Sequence, residues 1–207
     1  MKKSRLFSAE LIITVAALII ELAVYSAFLK YIESRPGTVI DDPVLALFAP
    51  VDLSAPVFIL LYLSVFGAIV YFSFDMKKLI QAVQSYILLV IFRMMAMYTL
   101  PLDPPEQLIP LIDPLVELMG PGTTLTRDLF FSGHTSTVFI IAFNIDKTWV
   151  KAVFFAIGVI VAVMVVLQHV HYTVDVLAAP FFAYGAYRLS VLLRRKFLFP
   201  VKNKRVK

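Results

Sequence analysis

The chain has 207 residues, 60% of them apolar and only 16% charged, with a formal net charge of +5 and a mean hydropathy of +0.88. These values lie well outside those of soluble globular domains, which leaves an integral membrane protein. The sequence has no cysteine, which excludes disulfides, a thiolate nucleophile and a cysteine-based zinc site. The basic excess is explained by loops facing anionic headgroups, so no nucleic-acid role is assigned.

About 20 apolar residues at a rise of about 1.5 Å each cross a hydrocarbon core of about 30 Å. Six apolar runs meet or approach that length: Leu11–Leu29, Ala55–Phe74, Leu79–Leu100, Leu129–Ile145, Trp149–Leu167 and Tyr172–Leu193. None alternates with the roughly ten-residue segments of a transmembrane barrel. The expected fold is therefore all-α, a polytopic bundle of six transmembrane helices forming a single membrane domain over residues 1–207.

Lys2, Lys3 and Arg5 precede the first run. Its apolar stretch resumes after Glu21, which marks an uncleaved span rather than a signal peptide. Glu21 is expected to face the bundle interior, paired with a donor, and stays outside the site. Lys77 and Lys78 separate the second and third runs, Lys147 and Lys151 the fourth and fifth, and Arg194, Arg195 and Lys196 open a basic tail, 194–207. Lysine and arginine in short loops mark the cytoplasmic side, so both termini are expected inside. The remaining loops are mainly acidic and face outside. One of them, the proline-rich Pro101–Pro121 with its apolar Leu108–Met119 stretch, is read either as an interfacial gate for lipid or as a plain connection.

With this topology, His134 at the start of the fourth run and His169, His171 and Asp175 at the fifth-to-sixth turn share the outer layer. Arg93 lies about seven residues, roughly 10 Å, below the outer end of the third run and can snorkel toward them. Ionisable groups inside an apolar bundle are expensive and mark sites by default. His171 and Asp175, four apart, are neighbours on one helical face. A carboxylate there can accept the Nδ1 proton and leave Nε2 as a nucleophile or base. Ser132-Gly133-His134 at a helix N-terminus offers backbone N–H groups and a positive dipole end, which suit an anion such as phosphate. Read singly, each residue has an ordinary structural role open to it, and His169 is left as an interfacial anchor or hydrogen-bonded core group. A metal site from His134, His171 and Asp175 is possible on ligand type, though no fuller ligand set is visible.

The segments Asp128-x3-Ser132-Gly133-His134-Thr135 and His171-Tyr172-Thr173-x-Asp175-Val176 resemble two motifs of the type 2 phosphatidic acid phosphatase superfamily, in its sphingomyelin synthase-related branch. A weaker similarity runs from Arg93 through Met97-Tyr98-Thr99-Leu100-Pro101. The resemblance implies six spans with both ends inside, and a reaction in which His171, oriented by Asp175, attacks phosphorus while His134 protonates the departing oxygen and later deprotonates the acceptor. It implies phosphate and substrate contacts from Arg93, Asp128, Ser132, Gly133 and Tyr172, with Asp128 holding His134 or meeting a cationic headgroup.

The phosphatase branch's Lys-x6-Arg-Pro and Ser-Arg-x5-His elements are not found, and Val165 stands six positions before His171. A monoester carries nearly two charges and needs several cationic donors, whereas a diester carries one. The expected enzyme is thus a headgroup phosphotransferase or phospholipase C-type hydrolase with a phosphohistidine intermediate. It takes a membrane phospholipid as donor and a lipid alcohol (ceramide-like or diacylglycerol) or water as acceptor, with no cofactor and no metal. A lipid phosphate phosphatase is the alternative, and a transporter or scaffold a remote one. The expected location is the plasma membrane, the cell inner membrane, with the site on its extracytoplasmic face.

Overall fold

The computed structural model describes residues 2–112 and 125–198. Within them the chain forms six α-helices: α1 Lys2–Ser34, α2 Ser54–Ser73, α3 Met76–Thr99, α4 Gly133–Asn144, α5 Thr148–Leu167 and α6 Thr173–Leu193. A 3-10 turn, Leu45–Leu47, interrupts the α1–α2 loop, and a π-helical turn, Arg194–Leu198, follows α6. There is no strand among the described residues, only one isolated bridge between Thr38 and Leu102. Five of the helices are long and apolar enough to cross a membrane.

Hydropathy locates the membrane-compatible part of each helix but not its ends. With 33 residues, α1 is about 50 Å long and overruns the expected 11–29 on both sides. It is joined to the bundle mainly through α3. The α2–α3 link is a two-residue turn in which the Asp75 side chain accepts from the backbone N–H groups of Lys77 and Lys78 and so caps α3.

The fourth run behaves differently from the other five. Its first four residues are not helical, and the 12 residues of α4 give about 18 Å, well short of a bilayer core. Residues 125–132 are not helical, and their backbone polar groups bond outward. Arg93 donates to the Asp128 carbonyl at 3.0 Å, and Ser132 N–H donates to the Asp175 carbonyl at 3.2 Å. Non-helical backbone inside a bundle is tolerated where protein surrounds it and satisfies it. Leu129, Phe131 and Ser132 are all buried.

Between the helices, α6 packs on α3 and α4, and α4 on α5. The contact face of α6 carries Ala179, Ala183 and Ala186, each wholly buried, so backbones approach closely as small residues permit in apolar bundles. Large apolar side chains such as Ile19, Leu63, Phe66 and Phe181 point outward, while Glu10, Ser85, Arg93, His171 and Asp175 are buried. This polarity is inverted relative to a soluble protein.

The two ends of the bundle differ. At one, Arg194 pairs with Glu10 at 2.8 Å and donates to the Lys77 carbonyl, and Lys78 pairs with Asp146. The start of α1 and the end of α6 thus meet. At the other, Glu33 accepts from Thr126 and Arg127, and Arg127 pairs with Asp103 at 2.6 Å. Most of the expected Leu108–Met119 stretch and most of the basic tail lie outside the described residues.

Candidate active site

The α6 N-terminus is where the two motifs meet. Asp175, in its first turn, accepts the Tyr172 N–H at 3.1 Å through Oδ2, and the same oxygen lies 3.3 Å from Nδ1 of His171. The carboxylate therefore fixes the imidazole and closes the helix start with one atom. His171 is 1% and Asp175 0% exposed. Across from this pair, the rings of His134 and His171 are 6.2 Å apart, edge to face. His134 also stands edge-on to Phe58 of α2 at 5.7 Å, so an apolar ring backs one side of the imidazole.

Ser132 caps α4 by accepting from Thr135 N–H. Immediately after it, Gly133 lies against the Arg93 guanidinium: a Cβ at 133 would fall 2.9 Å from Cζ and 3.1 Å from Nη1. Glycine is required here by close approach. Arg93 is buried, with Nε donating to the Tyr25 hydroxyl at 3.0 Å and Nη2 to Asp128 at 2.6 Å. Its Nη1 has no partner among the described residues. A guanidinium held on two sides, with a free donor beside a helix N-terminus, is suited to an anionic oxygen. Thr135 Oγ1 and Asp175 Oδ1 are likewise buried without partners, and such concentrations of unsatisfied groups call for an explanation.

His134, His171, Asp175, Arg93, Ser132 and Gly133 are thus brought together from three segments. Two further expected contact residues have protein partners of their own. Asp128 pairs with Arg93 at 2.6 Å and also accepts from Tyr25 at 3.4 Å. Tyr172 is 1% exposed, and its hydroxyl donates to the Asp103 carbonyl and accepts from Ile40 N–H. These two bonds tie the start of α6 to two loops. Glu21 is buried as expected, but its carboxylate has no partner among the described residues rather than a donor.

Two residues outside the motifs position the site. Asp42 accepts from Thr173 N–H at 2.6 Å, Thr173 Oγ1, Val44 N–H and Leu45 N–H, anchoring the first residue of α6. Burial works to raise its pKa, but the bonds from Thr173, Val44 and Leu45 together outweigh it and hold the carboxyl below its usual range. Gln168, wholly buried, binds Leu53 N–H, Ser54 and the carbonyls of Ile109 and Pro110, which fixes the turn that carries His171. Polarity in a loop was the only local sign of either.

Residues 127–191, about a third of the chain, match the family described as PAP2 superfamily C-terminal. The matched region runs from beside Asp128 to α6 and contains both histidines and Asp175. The match supports the resemblance of this segment to the type 2 phosphatidic acid phosphatase superfamily. Comparison with curated proteins and with solved structures gives no match.

Proposed function

We propose that the protein is a membrane phosphotransferase or phospholipase C-type enzyme, similar to sphingomyelin synthase, that cleaves a phosphodiester lipid through a phosphohistidine on His171. The observation that carries this reading is the buried His171–Asp175 pair facing His134, with Arg93 laid on the start of α4.

Asp175 accepts the Nδ1 proton of His171, so the Nε2 lone pair is free to attack phosphorus. As the P–N bond forms, the bond from phosphorus to the diacylglycerol oxygen breaks, and protonated His134 delivers its proton to that oxygen. In the second half His134 takes a proton from the acceptor hydroxyl or from water, oxygen attacks phosphorus and the P–N bond breaks. Arg93 Nη1 and the N–H groups at Gly133 stabilise the equatorial oxygens. The other described arginines at this end are engaged, Arg127 by Asp103 and the Glu33 carbonyl and Arg35 by the Tyr98 carbonyl. A single available guanidinium favours a singly charged diester. By the lysine and arginine distribution, the site end faces outward across the plasma membrane.

The test is incubation of purified protein with labelled phosphatidylcholine, phosphatidylethanolamine, phosphatidylglycerol and phosphatidic acid, each with and without ceramide. Diacylglycerol released from the diesters is the expected product. A new phosphosphingolipid in the presence of ceramide marks transfer, and release without one marks hydrolysis. Phosphate released from phosphatidic acid alone overturns the diester reading in favour of a lipid phosphatase.

A further inference from the structure

Asp128 pairs with Arg93, and Asp175 is wholly buried with its Oδ2 on His171 and the Tyr172 N–H. On the same end of the bundle, a cavity of about 430 Å³ opens between the loop 39–48, the segment 105–107 and the α5–α6 turn. Asp41, Asp42 and Glu106 line it with Phe48, His169 and Tyr172, and no lysine or arginine among the described residues does.

The carboxylates alone would be an ordinary acidic rim, and Asp41 and Glu106 are exposed. His169 makes the difference. It is only 3% exposed and adopts a left-handed backbone with φ 57°, a conformation uncommon outside glycine. Its ring stands edge-on to Phe48 at 5.3 Å. One ring nitrogen bonds to the Phe48 backbone, while Nε2 is buried with no partner among the described residues. Donation to a carbonyl fixes the first nitrogen as N–H and leaves Nε2 as a lone-pair acceptor. Burial, the largest influence on its pKa, lowers it against the Asp42 charge and the Phe48 bond. The ring therefore stays neutral and the acceptor stays available.

We propose that this cavity binds a primary ammonium group, which donates an N–H to Nε2 of His169 while Asp41, Asp42 and Glu106 balance its charge. A quaternary ammonium could use the Phe48 ring but has no N–H, and it would leave the imidazole acceptor unpaired. That difference is expected to give roughly tenfold to hundredfold selectivity. A bare divalent ion fits less well, since no three His, Asp or Glu side chains among the described residues converge on one point. His169 is two residues from His171, so the cavity adjoins the phosphate site. The ammonium belongs either to a lipid headgroup or to a free amine. Its role as a headgroup subsite rests on the phosphodiester reading above.

Binding is measured on the full-length His171→Ala protein, which keeps the cavity, by native mass spectrometry with phosphatidylethanolamine, phosphatidylcholine and phosphatidylglycerol. Binding of free ethanolamine is followed by saturation-transfer NMR. Preferential retention of phosphatidylethanolamine, lost on adding either His169→Phe or the solvent-exposed Glu106→Gln, supports the site and assigns it to the lipid. Equal retention of the three lipids, with ethanolamine binding that depends on His169, supports the site and assigns it to a free amine. No preference and no ethanolamine binding, or a preference that both variants retain, overturns it. The same lipids offered to the unmutated protein separate the two readings. Selective binding without turnover of any diester defeats the phosphodiester reading alone, and turnover blind to headgroup with no selective binding defeats the ammonium site alone.

Discussion

Arg93 reaches the start of α4 only because position 133 has no side chain, and it cannot withdraw, because Tyr25 and Asp128 hold its other two nitrogens. Gly133→Ala should therefore leave the bundle folded while displacing the guanidinium, with kcat falling roughly 10²-fold or more, as when one oxyanion donor is lost. A folded variant within twofold of the parent would remove Arg93 from the phosphate site. The histidines are predicted to separate by step. His171→Ala should abolish both turnover and an acid-labile phosphoenzyme, whereas His134→Ala should slow turnover by about 10²–10⁴ as general-acid catalysis is lost. Radiolabel trapping after acid quench distinguishes them, and wild-type activity in both would refute the site. These residues were legible in the sequence because spacing within each motif, such as His171 to Asp175, translates directly into a shared helix face. Tyr25 and Asp42 were not, because their partners lie 68 and 131 residues away and no local pattern carries that information.

For the helices, apolar runs predicted all six positions, because lipid-facing and core-facing residues are alike apolar and the run length follows the bilayer. The late start of the fourth helix was hidden by the same fact: Leu129-Phe130-Phe131 reads as apolar whether helical or extended. What decides it is the tertiary demand of Arg93 and Asp175 on the backbone of 128–132. The start of α6 depends equally on a distant group. Asp42 is bonded as a carboxylate, with its folded pKa depressed, so its stabilisation is fully present above the unfolded value of about 3.9 and is lost as pH falls through the folded value. Asp42→Asn should weaken the charge-assisted bonds to Thr173, lowering thermal stability by about 1–3 kcal/mol at neutral pH, and should flatten the acid limb of the stability profile below about pH 4. Melting curves of parent and variant across pH 3–7 check this. An unchanged acid limb would place the sensitivity in other carboxylates.

Across the whole molecule, the two polar ends have opposite characters that the apolar middle keeps apart. The basic loop residues Lys77, Lys78 and Lys147 gather at the end where Glu10 and Arg194 close the first helix on the last, and the acidic loops gather at the end that holds His134 and His171. A positively biased end is retained in the cytoplasm during insertion, so the site end should be exposed to the exterior, where donor and acceptor lipids of the outer leaflet are within reach. The sequence has no cysteine, which makes the orientation directly measurable, since any single introduced cysteine is the sole thiol. Ser34 at the end of α1 and Lys147 before α5 are both exposed and lie at opposite ends. On intact cells a membrane-impermeant maleimide should label Ser34→Cys, whereas Lys147→Cys should react only after permeabilisation. The reverse pattern would put the histidines at the cytoplasmic face, and donor and acceptor would then have to be met there.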